Sequence, residues 1–331
     1  MHLPYPSRKD SNAARYAPAR RGPGSGPARF VPPILRRMRL RGGVALVALV
    51  LGVLYVGSLL RTGGLGGRGG GSGAYAEHVP TGSPPAVIVT VFEDGGKFSK
   101  AYLQNVKDNR ILYAKKHGYE TFFPTVSEYD LGGSPASWVK VVAMRHALSK
   151  FPDASFVWFL DQDSLIMTGD VGVETALMEP AALDKVMIKD HPVVPPDSII
   201  KTFAHLKPAD VDLVLTQDKD GLSVGSFILR NGEWARFFLE TWYDPIYRSY
   251  NFQKAEAHAL EHIVQWHPTI LSKLAVVPQR YINAYSSGDA SAEFKPGDVA
   301  VRFNTCMKTG PAACEAEADK YNKQWRSNFK S

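Results

Sequence analysis

The sequence predicts an α/β domain, a mainly parallel sheet flanked by helices, preceded by one N-terminal transmembrane helix. Two observations predict the domain. Between residues 86 and 167 strand-like and helix-like segments alternate, the order that builds a parallel, doubly wound sheet. One of those strands, in residues 156–167 (FVWFLDQDSLIM), runs straight into an acidic pair, and open α/β sheets bind ligands beyond the carboxyl ends of their strands. A third observation predicts the helix. Residues 42–60 are a 19-residue run without a charge, close to the ~20 apolar residues that span a bilayer.

Residues 1–41 are rich in Pro, Arg, Gly and Ala and nearly free of large apolar side chains. They cannot bury a core and are expected to form a disordered tail. The tail and the apolar run carry the basicity. Of 39 Lys/Arg in all, residues 1–61 hold 11, with Asp10 as their one acid, so the other 28 bases face 31 acids, a balance of −3. The domain lacks the basic excess that coats nucleic acid, and no nucleic-acid partner is expected.

The apolar run, GGVALVALVLGVLYVGSLL, follows Arg36, Arg37, Arg39 and Arg41 and precedes Arg61. This asymmetry assigns the tail to the cytoplasm and the bulk of the chain to the lumen, a type II signal anchor. A cleaved signal peptide is the competing reading. It fits less well, because the run starts far into the chain and the small-x-small site Ala74-Tyr75-Ala76 lies well beyond its end. The short span suits the thinner membranes of the early secretory pathway. Residues 61–85, Gly-rich with Pro80, Pro84 and Pro85, read as a flexible stem, and the lumenal domain occupies 86–331.

Within the domain, residues 86–92 read as the first strand and EDGGK as a loop. Residues 99–116 read as a helix with Ser99 as N-cap, Tyr102, Val106 and Tyr113 on its apolar side, and Gly118 as its stop. A second strand is expected at 119–123. A second helix follows at 137–150, bringing Lys140 and Arg145 towards the acidic pair, and the third strand ends at Leu160. Beyond the pair the pattern loosens. Residues 171–178 look helical, HPVVPP is a turn, and the stretch up to 215 has no assignment. In residues 218–231 the small side chains of Gly221, Ser223, Gly225 and Ser226 lead into a strand; they either admit a ligand to the backbone or mark a bulge. Helices are expected at 232–244 and 255–266, and a last strand at 297–303.

Asp161 and Asp163 stand one residue apart between two apolar anchors. Carboxylates so spaced in a bend can turn their oxygens to one hard cation, Mg²⁺ or Mn²⁺. The plainer alternative is one capping Asp and one solvated Asp. His258 and His262 lie four apart on one helical face, a spacing zinc accepts, but no Glu follows the first His and a simple surface or core pair is commoner. Cys306 and Cys314 are the only cysteines, and in an oxidising lumen they can close a local disulfide. No N-x-S/T sequon occurs.

The segments SWVKVVAMRHALSKFPDASFVWFLDQDSLIM, GLSVGSFILRN, AEAHALEHIVQWHPTIL and NRILYAKKHGY resemble glycosyltransferase family 34, with most likeness to the fungal Golgi α-1,6-mannosyltransferase subunits of the mannan polymerase complex. The likeness spans roughly residues 86–331. It implies a GT-A-like, Rossmann-like fold, Mn²⁺ dependence, retention of anomeric configuration and a nucleotide-sugar donor. It further implies GDP-mannose as that donor, with UDP-galactose the rival, an α-mannoside glycan acceptor, membership of a mannosyltransferase complex, and the Golgi membrane. Carried onto this chain, Asp161 and Asp163 become metal ligands and, with Glu256 of the late helix, the catalytic candidates. The donor-binding candidates are Lys140, Asn109, Gly225 and Arg302. Where the family has a late His-Phe-Ala-Gly-Cys block whose His completes the metal site, this chain reads Arg302-Phe303-Asn304-Thr305-Cys306. An Arg stays protonated and ligates no metal, so the third ligand is open, and its fork suits phosphate directly.

Two other classes compete. A hydrophobic strand ending in D-x-D also resembles the first motif of haloacid-dehalogenase phosphatases, but that motif ends a domain's first strand, is followed by Gly-Thr, and fits neither point here. A non-catalytic scaffold subunit of a mannosyltransferase complex is the other alternative, favoured by Arg302 and opposed by the intact acidic pair and Lys140.

Overall fold

The alternation between residues 86 and 167 builds one half of a six-stranded sheet. Strand β1 (Ala86–Val89) lies parallel to β2 (Glu120–Phe122) on one side and to β3 (Phe156–Leu160) on the other. Helices α1 (Lys100–His117) and α2 (Val139–Lys150) make the crossovers. The ends of α1 are those its sequence signals: the Ser99 side chain accepts the Tyr102 N–H, and Gly118 ends the helix in the left-handed region at φ 70°. The computed structural model describes residues 78–194 and 198–329. The expected tail, the membrane span and most of the stem lie outside these residues. Among the described residues no helix is long and apolar enough to cross a membrane. Residues 82 and 83, assigned to the stem, already bond to the domain through the Asp153 carbonyl.

The other half of the sheet keeps the expected mainly parallel character but departs from simple double winding. Strand β5 (Leu213–Asp218) turns within two residues into β6 (Gly221–Arg230), and strands joined so tightly must run antiparallel. Strand β6 therefore inserts against the grain between β3 and β5, and β7 (Leu274–Val277) completes the order β2-β1-β3-β6-β5-β7. Five strands point one way and one the other: a mixed, mainly parallel sheet. Strand β5 lay in the unassigned stretch because Leu213, Val214 and Leu215 are all buried. A strand covered on both faces shows no apolar–polar alternation.

Both faces are covered. Val87, Phe159, Leu215 and Phe227 pack with α2 and with helices α3 (Glu233–Trp242) and α4 (Ala255–Trp266). Ile88, Trp158, Leu160 and Ile228 face the opposite way, towards Tyr113 and Ala114 of α1. Each such fully buried side chain contributes about 1.5–3 kcal/mol. A second, three-stranded sheet joins β4 (Ser164–Ile166), β8 (Ala284–Tyr285) and β9 (Ala300–Arg302) in the order β4-β9-β8. The expected last strand, 297–303, is β9. Helix α5 (Pro311–Asn328) closes this side by burying Cys314, Ala318 and Trp325. Its sparse apolar residues left no helical stripe to read in advance. Cys306 and Cys314 form a disulfide.

Candidate active site

A cleft of about 1000 Å³ opens at the carboxyl ends of β1 and β3. The turn from β3 to β4 crosses its floor, and its main chain is held at every residue. The Asp161 N–H donates to the Gly225 carbonyl at 2.9 Å, extending the β3–β6 ladder by one step. The Asp161 carbonyl accepts from Arg110 Nη2 at 3.0 Å. The Gln162 carbonyl accepts the Tyr102 hydroxyl at 2.7 Å, and the Asp163 carbonyl accepts the Phe303 N–H at 2.8 Å. Two sheets and α1 thus fix where both carboxylates point.

Cations surround the pair. Lys140, in the first turn of α2, places Nζ 3.6 Å from Asp161 Oδ2 and 3.2 Å from Glu256 Oε1, and donates to the Val224 carbonyl at 3.4 Å. Its Nζ lies over the Phe159 ring, 5.4 Å from the ring centre. Glu256 enters from the first turn of α4, directly after Ala255, whose φ of 41° is unusual for a residue with a side chain. Arg302 arrives on β9, which pairs with β4 in the register Ser164–Arg302. Its Nη2 is 3.5 Å from Asp161 Oδ2, its Nε 3.4 Å from Asp163 Oδ2, and its Nη1 3.5 Å from Ser223 Oγ.

Burial opposes charge throughout this cluster, and the ion pairs answer it. Burial pushes the Asp161 carboxyl above the ordinary carboxylate range, while Lys140 and Arg302 pull it back. Burial works against the charge on Lys140, but Asp161 and Glu256 outweigh it and hold the ammonium above its usual value. Burial likewise opposes the Arg302 guanidinium, and Asp163 and Asp161 more than compensate. The wholly buried Arg110 is pushed down to about 9 by burial and still carries its charge at neutral pH.

Asp161, Asp163, Lys140, Glu256 and Arg302, of which Lys140 and Arg302 lie 162 positions apart in sequence, all line the cleft. Gly225 stands behind it: a Cβ there would come 2.5 Å from Arg302 Cζ, so the bare glycine makes room for the guanidinium rather than for a ligand. Asn109 is placed differently from the donor-binding expectation. Fully buried, it accepts the Ile166 N–H and donates to the Ile166 carbonyl, both at 2.8 Å, and it pins β4 to α1 without lining the cleft. Arg145 turns away from the acidic pair to Glu240. The His262 ring rests among Tyr247, Phe252 and Trp266.

A divalent ion does not fit this donor set as arranged. Asp161 and Asp163 present their Oδ2 atoms to the Arg302 guanidinium, a fixed positive charge at the point where a metal would need theirs. Among the described residues no group of three or more His, Cys, Asp or Glu is placed to hold a metal.

Two contributors carry roles that the sequence did not assign them. Arg110 holds the Asp161 carbonyl, and Ser223 meets Arg302 while accepting from Asn283 Nδ2 at 2.8 Å. Arg110 did leave a trace: it follows Val106 by four residues on a face otherwise apolar, where a charge must have a partner. Ser223 left none beyond its small size.

The model of the galactosyl transferase GMA12/MNN10 family matches residues 82–313. An uncharacterised α-1,2-galactosyltransferase of Schizosaccharomyces pombe is 31% identical over 228 residues, 67% of this chain and 60% of that one. A probable α-1,6-mannosyltransferase of Saccharomyces cerevisiae, MNN11, is 28% identical over 257 residues, 70% of this chain and 60% of that one. The match to each thus spans less than two thirds of the relative's own length. Among solved structures, a glycosyltransferase involved in the glycosylation of the major capsid of PBCV-1 superposes with a TM-score of 0.49 at 11% identity, covering 72% of this chain and 100% of that one. From the family match, the chain belongs to the galactosyl transferase GMA12/MNN10 family of glycosyltransferases.

Proposed function

We propose that this chain is a retaining hexosyltransferase of the Golgi membrane that moves mannose from GDP-mannose to an α-mannoside acceptor, extending an α-1,6-linked mannan backbone on N-glycans. The observation that carries the reading is the meeting of Asp161, Asp163, Lys140, Glu256 and Arg302 around one cleft at the strand ends. Transfer breaks the bond from the anomeric carbon to the diphosphate and leaves its electron pair on the leaving nucleoside diphosphate. The acceptor hydroxyl oxygen forms the new bond, and its proton passes to the departing diphosphate or to solvent. Negative charge grows on the leaving group, so cations fixed in advance beside it lower the barrier. Lys140 and Arg302 are such cations. Asp161 and Glu256 hold Lys140 in place and set carboxylates near the electron-poor sugar ring.

UDP-galactose is the second reading for the donor. It is favoured by the 31% identity to a chain named an uncharacterised α-1,2-galactosyltransferase. The uncharged run at 42–60 with its basic N-terminal flank supports a single signal anchor of type II topology, a lumenal domain, and Golgi residence. Assembly into a mannosyltransferase complex is part of the proposal, on the strength of the likeness to mannan-polymerase subunits.

The test is a transfer assay on the full-length chain with an α-mannoside acceptor and each of the two donors, repeated with Asp161→Asn/Asp163→Asn. Mannose transfer that is lost in the double variant supports the reading. Transfer from UDP-galactose alone replaces the donor. Transfer from neither, with no nucleotide bound, leaves a non-catalytic subunit as the better account.

A further inference from the structure

A cation fixed in the chain stands at the acidic pair. Arg302 lies against both members of the acidic pair, at 3.5 Å from Asp161 Oδ2 and 3.4 Å from Asp163 Oδ2, with its side chain only 11% exposed. The placement is built into the backbone. Strand β9 pairs with β4 so that Arg302 stands opposite Ser164, one residue after the pair, and Phe303 bonds the Asp163 carbonyl. Gly225 leaves open the space that the guanidinium fills.

We propose that Arg302 takes the place of a divalent ion in this enzyme, so that the donor's diphosphate is bound by the guanidinium and Lys140 and needs no metal. The inference rests on the transferase reading and adds to it how the diphosphate is held. Under it, Asp161 and Asp163 are positioning residues that orient Arg302. A metal brought to Asp161 and Asp163 would sit within a few ångströms of a guanidinium that cannot give up its charge, and like charges at that range repel strongly. A guanidinium, in turn, offers parallel N–H donors that match two phosphate oxygens, the geometry for which Arg is suited above Lys. Its contacts with Asp161, Asp163 and Ser223, at 3.4–3.5 Å, are long for charge-assisted hydrogen bonds, so these three can give way to a phosphate. Lys140, 3.6 Å from Asp161 Oδ2, supplies a second fixed charge in the same cleft.

Calorimetric titration of the full-length chain with GDP-mannose, UDP-galactose, GDP and UDP, in EDTA and then in Mn²⁺, tests the proposal. The expected result is binding of at least one nucleotide with a Kd that agrees within about twofold between the two conditions, since the protein's own cation meets the phosphates. In Arg302→His the affinity in EDTA should fall by about tenfold or more, and Mn²⁺ should restore it, because a neutral imidazole completes a metal site that a guanidinium blocks. Arg302→Lys, which keeps the charge and loses the fork, should weaken binding without any response to Mn²⁺; it stands in if the His variant does not fold. Wild-type affinity that rises about tenfold or more on adding Mn²⁺ overturns this inference and leaves the transferase reading intact. No nucleotide binding in either condition, by a chain whose melting transition is cooperative, overturns both.

Discussion

Arg302 occupies the space that a side chain on Gly225 would need: a Cβ at residue 225 would lie 2.5 Å from both Cζ and Nη1 of Arg302. The two residues are 77 positions apart and belong to different sheets. Gly225 also accepts the Asp161 N–H, so one glycine sets the backbone of the acidic pair and the location of its cation. Gly225→Ala should therefore displace the guanidinium. Because the end of a long side chain can move, the fold should survive, with Tm within a few degrees of wild type, while nucleotide affinity falls by about tenfold through the lost ion-pair geometry. Equal affinity in the two proteins would show that Arg302 does not touch the donor.

Lys140 and Glu256 are both almost enclosed, with side chains 8% and 6% exposed and 3.2 Å between Nζ and Oε1. Removing one partner of such a pair leaves an uncompensated buried charge, at a cost of about 3–5 kcal/mol. Lys140→Met should thus destabilise strongly, and Lys140→Met/Glu256→Gln should recover part of that loss. Transfer activity should be abolished in both. Urea unfolding of the four proteins in the cycle measures the coupling, and additive losses would mean the two side chains do not hold each other.

Asn109 separates folding from binding. Its two bonds to Ile166 tie α1 to β4 in a fully buried setting. Asn109→Ala strands a buried donor and a buried acceptor, each worth about 1–3 kcal/mol. The expected outcome is a clear drop in Tm, with the nucleotide Kd of the folded protein unchanged within about twofold. A large change in Kd at unchanged Tm would return Asn109 to the donor site.

Glu261 makes stability depend on pH. It lines the cleft beside Gly221 and accepts the Leu222 N–H at 3.0 Å. Burial, more than any other cause, raises its carboxyl above the ordinary value, although the Leu222 N–H pulls the other way. The folded chain therefore keeps a proton that the unfolded chain has already released. That contribution is fully present below the unfolded pKa of Glu and is lost as pH rises through the raised value. Compared with Glu261→Gln, wild type should lose Tm as pH rises from the ordinary Glu value through the raised value of the folded chain. A difference in Tm that stays flat with pH would rule out the assignment.

Local chemistry made much of this protein legible in its sequence. An apolar strand that ends in Asp161 and Asp163, a capped helix from Ser99 to Gly118, and the helices that carry Lys140 and Glu256 each depend on residues within one segment. Their periodicity and end signals survive without knowledge of the neighbours. Strands β5 and β7 were not legible, because burial on both faces erases the alternation that marks a strand. The direction of β6 became clear only once its two-residue link to β5 was known.

By itself the sequence determined that a carboxylate pair would end a strand and that Lys140 and Glu256 would stand on helices, since these are properties of contiguous segments. Only the tertiary structure decided what surrounds the pair. Arg302 meets Asp163 across 139 positions because β9 pairs with β4, and Gly225 admits it because β6 runs beside β3. Strand pairing brings such residues together, and it leaves no periodic trace in either partner.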